Sequence, residues 1–341
     1  MFKTRITEML GIQYPIICGG MSFITRAELA AAISNAGGFG IITSAHLETP
    51  KALADEIRKT KSLTDKPFGV NINMFPSVKP IANKEFVEVI IDEGIKAVET
   101  SGHRSPEEYV PRLKEGKVII IHKAATVRHC LKGQETGADI VTIVGMENGG
   151  AIGMEDVSTL VLTPILVDAA KVPVIAGGGF GDGRGLMAAL ALGAEGIVMG
   201  TRFMATQECP IHPNYKEWLL KATERDTILV MRSLQNTHRV LKSTVTEELQ
   251  KLEARWASLE EILPIIGSDA SRRVALEGDL DAGQALAGEM VGLIHDIPTV
   301  KELIDRIVGE AQVIAQRLYN LGISYKKDDR NSQTVGDAYL S

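Results

Sequence analysis

The sequence predicts an α/β protein, a (β/α)8 TIM barrel with an added C-terminal helical subdomain. Three observations lead there. Eight short apolar runs alternate with amphipathic stretches, the pattern of βα units around a parallel sheet. The last two runs end in glycine turns, Gly177-Gly178-Gly179 and Gly200-Thr201. After Arg202 the alternation stops, and most of the remaining chain carries helical periodicity.

The eight predicted strands are Pro15–Cys18, Phe39–Thr43, Phe68–Asn73, Ala97–Thr100, Val118–His122, Ile140–Val144, Val172–Ala176 and Ile197–Met199. Val118–Ile121 and Ile140–Val144 are continuous Val/Ile runs, as strands buried on both faces should be. Between the first two strands, Thr25 and Glu28 have capping-box spacing, Leu29 and Ile33 share a face, and Gly37 suits the position after a helix. Further helices are predicted at Pro50–Thr60, Lys84–Glu93, Pro106–Glu115, Thr126–Thr136, Ser158–Ala169 and Arg184–Leu192. An open doubly wound sheet has the same alternation, and sequence alone does not show closure.

Three segments are expected: a barrel core over 1–205, a helical lid over 206–325 and a polar tail over 326–341. The lid should hold a helix at Asn214–Ala222 and be almost wholly helical from Thr244 to Leu321.

Composition narrows the function. The 341 residues are 45% hydrophobic and 23% charged, ordinary for a globular chain, and the net charge of −6 gives no footprint for nucleic acid. Cys18, Cys130 and Cys209 are far apart with no C-x-x-C spacing, which argues against a disulfide framework or a zinc site and for a reducing compartment. The N-terminus lacks the apolar core of a signal peptide, and no long uncharged apolar run occurs. The expected location is cytoplasmic, with no membrane or nucleic-acid partner, no metal, and a homodimer as one possible assembly.

Barrel active sites lie at the C-terminal ends of the strands. The two glycine turns, on neighbouring strands, allow backbone N–H groups to approach an anion closely and form a phosphate cradle. The bland alternative is two tight βα turns without a ligand. Elsewhere on the same face come Gly19, Gly20 and Met21 after the first strand, and Asn73, Met74, Phe75 and Pro76 after the third. His103 follows the fourth strand, His122-Lys123 ends the fifth, and Gly145 to Ala151 follow the sixth. These parts suit flavin mononucleotide (FMN): phosphate in the cradle, glycines beside the ring, Asn73 at its polar edge and Lys123 against negative charge on the reduced ring. The bland alternatives are a strand-end lysine with its head in water for Lys123, which its place at the catalytic end of a strand argues against, and a loop-start residue bonding its own backbone for Asn73. Cys18 reads as a small buried hydrophobe, and Asp182 and Arg184 as caps of the helix after the cradle. Glu147 either orients a ligand or closes the loop after the sixth strand.

The motifs PIICGGM, NAGGFGIIT, DKPFGVNIN, VIIIHKAATVRH, IAGGGFGDGRG, ALGAEGIVMGTRFMAT and MRSLQNTHRVLK occur in order across residues 1–320. Together they resemble the nitronate monooxygenase (2-nitropropane dioxygenase) superfamily. IHK, PFGVNIN and MRSLQNTHRV resemble most its FMN-dependent NADH:quinone reductase branch; the group also includes flavin-dependent enoyl-ACP reductases. The resemblance implies FMN contacts at Gly20, Met21, Asn73, Lys123, Gly149, Gly150, Gly177, Gly178, Gly179, Gly200 and Thr201. It also implies a loop, Met74–Pro80, over the ring face where NAD(P)H docks, so that Met74, Phe75, Pro76 and Ala151 would border the substrate.

One position departs from the family. The pattern E-x-G-G-H-x-G reads here Glu147-Asn148-Gly149-Gly150-Ala151-Ile152-Gly153, so an alanine stands where the resemblance implies an acid/base histidine. Such a group typically contributes about 10²–10⁴-fold. Hydride transfer from NAD(P)H to flavin, or oxidation of a preformed nitronate, needs no base, whereas enoyl reduction needs a proton donor. The sequence therefore favours electron transfer from NAD(P)H through FMN to a small acceptor such as a quinone. Nitronate oxidation with O2, enoyl-thioester reduction and a flavin-binding relic are the alternatives. A flavin-free barrel of the inosine monophosphate dehydrogenase type would want a cysteine after the sixth strand, and none is there. His103 is the candidate replacement acid/base, against a plain surface-loop histidine. His122 is expected in the barrel wall, and His46, His129, His212 and His238 read as structural or exposed.

Overall fold

The computed structural model describes residues 2–75, 81–102 and 104–321. Its helices in the first part of the chain are α1 (Arg5–Leu10), α2 (Ala27–Asn35), α3 (Pro50–Leu63), α4 (Asn83–Asp92), α5 (Val110–Glu115), α6 (Val127–Glu135), α7 (Thr159–Ala169) and α8 (Gly183–Ala191). They alternate with β1 (Ile16–Cys18), β2 (Phe39–Thr43), β3 (Gly69–Met74), β4 (Ala97–Gly102), β5 (Ile119–Ala124), β6 (Ile140–Val144), β8 (Val174–Gly177) and β9 (Gly196–Met199), with a short β7 (Gly150–Ala151) after β6. The eight long strands close into a parallel barrel in the order β1-β2-β3-β4-β5-β6-β8-β9, and β9 pairs with β1 through Ile16↔Ile197. Closure excludes the open sheet.

Alternation along each strand sorts its side chains. Val70, Ile72 and Met74 of β3 point outward into a core shared with Phe86 and Ile90 of α4. Asn71 and Asn73 therefore point inward. The barrel's lower interior is apolar: Ile17, Phe39, Ile41, Ala97, Ile121, Ile175 and Val198 pack on Ile6 and Leu10 of α1, which plugs the N-terminal end. Polar side chains appear only higher, towards the C-terminal mouth.

The start of α2 corrects an expectation. Its N-cap is Arg26, with no side-chain cap, and Thr25 instead donates to Gly19 O and accepts from Met21 N–H. The amide of Ala27 is capped from a distance by Glu56 of α3 at 2.7 Å.

After β9 come α9 (Thr201–Met204), α10 (Pro213–Lys221), β10 (Thr227–Val230), β11 (His238–Leu241), α11 (Thr244–Ala254), α12 (Leu259–Ile266), α13 (Ser268–Arg272) and α14 (Val300–Asn320). Two features depart from the expectation of a helical subdomain after the barrel. First, β10 and β11 form an antiparallel hairpin that takes β7 as a third strand, in the order β10-β11-β7. Residues 278–299 also carry little regular helix. Second, α14 packs against α8 and α2, the place of the eighth barrel helix. Gly183 in α8 permits this approach, since a Cβ there would lie 2.4 Å from Glu310 Cβ and 2.7 Å from Ile307 O. The barrel thus takes its last helix from beyond residue 299, and the segment between β9 and α14 is an insertion rather than a separate C-terminal body.

Candidate functional site

The C-terminal mouth gathers most of the sequence candidates. Gly177 faces the interior of β8 beside Val198 of β9, where a Cβ would lie 2.6 Å from Val198 Cγ1. Gly178 and Gly179 follow with φ of 97° and 81°, a conformation that glycine adopts without strain. A Cβ on Gly178 would also lie 2.8 Å from Thr159 Oγ1. Among the described residues, the amides of these two glycines carry no hydrogen bond.

The N-terminus of α8 is already satisfied. Asp182 accepts from Arg184 and Gly185 N–H, as expected of a cap, and Gly183 N–H donates to Glu310. The other half of the cradle is the first turn of α9, after Gly200, whose leading amides have no acceptor within the helix. Thr201 uses its hydroxyl to accept from Gly288 N–H at 2.9 Å, so only its backbone faces the cradle. Gly149 and Gly288 lie back to back, with a Gly149 Cβ position 2.5 Å from Gly288 N. The loops after β6, β8 and β9 thereby meet at the C-terminal mouth. Glu147 closes the loop after β6, accepting from Thr159 N–H and Oγ1 at 2.9 Å each.

Across the mouth, Lys123 at the end of β5 is 3.0 Å from Glu99 Oε1 on β4. Glu99 is only 1% exposed. Its other oxygen accepts from Asn71 Nδ2 at 2.7 Å and from Gly20 N–H at 3.1 Å, and Asn71 also donates to Ser101 Oγ. Every partner a buried carboxylate needs is therefore present. Sequence reasoning missed Glu99 and Asn71. The available signal was an acidic residue inside an apolar strand, two positions from Ala97 and so on the same inward face.

The remaining candidates divide. Gly20 lies against Asn71, with a Cβ position 2.4 Å from Asn71 Cβ, so no side chain fits there. Met21 reaches Gly200, its sulfur 3.2 Å from a Cβ position on that glycine. Asn73 Oδ1 accepts from Phe75 N–H at 3.0 Å, the self-bonding arrangement of a loop-start asparagine. Met74 is not a loop residue: it ends β3 with its side chain in the outer core. Phe75 follows at the rim, whereas Pro76 and His103 lie outside the described residues. Gly150 has φ of 77° and pairs in β7 with Arg239, and Ala151 pairs with His238.

Other titratable groups are buried by the walls. His122 points outward to Thr100 Oγ1 at 3.0 Å, and burial lowers its pKa to about 4, aided by His129. His46, on the loop after β2, accepts from Phe23 N–H; burial first and Arg26 second lower its pKa to about 4. Burial pushes the Cys18 thiol up, which leaves it an inert hydrophobe. Among the described residues, no helix is long and apolar enough to cross a membrane.

A family model described as nitronate monooxygenase matches residues 3–310. A Rhodococcus jostii protein named (3aS,4S,5R,7aS)-5-hydroxy-7a-methyl-1-oxo-octahydro-1H-indene-4-carboxyl-CoA dehydrogenase is 35% identical, over 91% of this chain and 96% of its own length. A Staphylococcus aureus protein named probable nitronate monooxygenase is 31% identical, over 74% of this chain and 81% of its own. The solved structure of FabK from Thermotoga maritima superposes with a TM-score of 0.87 at 39% identity, covering 94% of this chain and 100% of that one.

Proposed function

The chain belongs to the nitronate monooxygenase family, and on that premise we propose that it is an FMN-dependent oxidoreductase exchanging electrons between NAD(P)H and a small organic acceptor. One observation carries the proposal: the glycine loops after β8 and β9 adjoin, with unengaged amides at Gly178 and Gly179 beside the first turn of α9. Main-chain donors converging on a helix start suit a phosphate monoester. The residues fit the cofactor, since the cradle leaves no room for a Cβ at Gly177 or Gly178.

Gly178, Gly179, Thr201 and Arg202 would hold the phosphate through their backbone amides. When bound, the flavin supplies a carrier that accepts a hydride from nicotinamide and passes two electrons on. Lys123 places an ammonium in the mouth, and Glu99 fixes where it points. Because Glu99 offsets most of that charge, the floor presents an oriented dipole rather than a free cation. Glu99, Asn71 and Ser101 form a closed hydrogen-bond set beneath it and keep the donors of this layer in place.

For the acceptor, the sequence favours a quinone. The 35% identity to a protein named for a carboxyl-CoA compound, across 91% of this chain, supports an acyl thioester instead, and this is the reading we adopt. Anaerobic titration tests both levels. The purified protein should be yellow and bleach with NADH or NADPH. Colour should then return with an α,β-unsaturated acyl-CoA thioester, whose carbon–carbon double bond takes up the two electrons, faster than with a quinone, an alkyl nitronate or O2. A colourless protein that takes up no added FMN would overturn the cofactor, and preference for the quinone would overturn the thioester.

A further inference from the structure

One sector of the barrel's outer ring is nearly without charge. The earlier outer helices expose charged side chains to water, among them Lys51 and Asp55 of α3, Glu85 and Glu88 of α4, Arg112 of α5 and Lys132 of α6. Helix α7 has a single charge, Asp168 near its end, and α8 a single charge, Arg184 near its start. A helix that is apolar all round belongs inside a core. Yet α7 is covered on one side alone. Leu162 and Leu166 pack with Val141 and Ile143 of the barrel wall, whereas Leu160 is 64% exposed, Val161 47% and Ile165 49%. Beside it, α8 exposes Ala188 and Ala191, with Met187 and Leu190 half-buried. The two helices meet at Gly193, where a Cβ would lie 2.7 Å from Val167 Cγ1. Single apolar side chains are ordinary on a surface, but a contiguous patch of them marks an interface.

The occupant follows from the order of residues along α7. An antiparallel pair of α7 helices, about a two-fold axis level with Thr163, brings Val161 of one copy opposite Ile165 of the other. The same axis brings Ser158 opposite Asp168, and Glu155 opposite Lys171. Both matches are favourable. Ser158 is the N-cap of α7 and makes no side-chain cap, so a carboxylate arriving there meets the positive end of the helix. Glu155 and Lys171 are exposed charges of opposite sign. Among the described residues, neither they nor Asp168 form an ion pair. A different protein would need matching charges of its own, whereas a second copy supplies them from the same residues. The accessible residues of 154–171 and 184–193 together reach the size at which stable interfaces begin, about 20 residues and ~800 Å² a side.

We propose that this chain pairs with a second copy of itself through the outer faces of α7 and α8, with the two α7 helices antiparallel. The inference is independent of the flavin and acceptor readings above, and its test uses neither.

The test is sedimentation equilibrium of the full-length protein over a dilution series. The wild type should have twice the mass of the chain. Val161→Arg sets a charge in the apolar centre of the contact and should give a monomer with an unaltered circular dichroism spectrum. Lys171→Glu should weaken self-association about 2–30-fold, and adding Glu155→Lys to it should restore the wild-type strength. A wild type that is monomeric throughout, or an assembly whose mass Val161→Arg leaves unchanged, would overturn the interface. A monomer that pellets with phosphatidylcholine vesicles would assign the face to lipid instead. No weakening by Lys171→Glu, or no recovery in the double variant, would overturn the antiparallel arrangement.

Discussion

Glu99 is the residue on which the mouth's electrostatics turn. A carboxylate at 1% exposure persists only because Lys123, Asn71 and Gly20 N–H satisfy it together. Glu99→Gln keeps the shape but leaves the ammonium of Lys123 without its counter-charge. Loss of stability by about 1–3 kcal/mol is expected, read as a lower urea midpoint at unchanged slope. In the double variant with Lys123→Met the loss should be smaller than the sum of the two single losses. A second residue-scale expectation concerns pH. His46 and His122 have folded pKa values of about 4 against an ordinary 6.5. Below 6.5 the unfolded chain takes up protons that the folded chain refuses, so stability falls as pH drops from 6.5 towards 4. His122→Asn should flatten that decline by one proton's worth of slope, measured by urea unfolding across the window. Single residues were unevenly legible in the sequence. The Asp182 cap was readable because it acts within three residues, whereas the Glu99–Asn71 pairing joins different strands and needs the barrel's register to appear.

At the scale of elements, the two glycine turns after β8 and β9 were legible because glycines at strand ends report local backbone demands. Gly178→Ala should leave the barrel folded and empty it of flavin, since its Cβ meets Thr159 Oγ1 and φ of 97° disfavours a side chain. Measuring the flavin-to-protein ratio beside the circular dichroism spectrum separates the two effects. Helix α2 teaches the opposite lesson. Its TxxE spacing matched a local capping box, yet Glu56 from α3 does the capping. Glu56→Ala should therefore cost about 1–2 kcal/mol, although it lies on another helix. The hairpin β10–β11 was hidden for a related reason. Its strands are four residues each, and their third partner is a two-residue strand some 80 positions earlier. A pattern so short carries no period, and only pairing reveals it.

For the whole molecule, the barrel is finished by chain from both ends of the sequence. Helix α1 seals its floor and α14 completes its outer ring, so the stretch from β9 to α14 is inserted into the last βα unit. The sequence showed eight strands because buried parallel strands are continuous apolar runs, but α14 looked like one more lid helix. Gly183→Leu should undock α14 from α8 and lower the thermal midpoint well beyond what a surface substitution does, since Ile307 O and Ala311 N lie within 2.7 Å of the added Cβ. The same architecture leaves one open end, bounded by the cradle and by the Glu99–Lys123 pair. The most direct measurement is the visible absorption spectrum of the purified protein, recorded before and after anaerobic addition of NADH and, separately, NADPH, with Gly178→Ala alongside. The account expects a yellow wild type with one FMN per chain that bleaches on reduction, and a folded, colourless variant. A wild type that is colourless and does not take up added FMN, or a Gly178→Ala protein as yellow as the wild type, would contradict it.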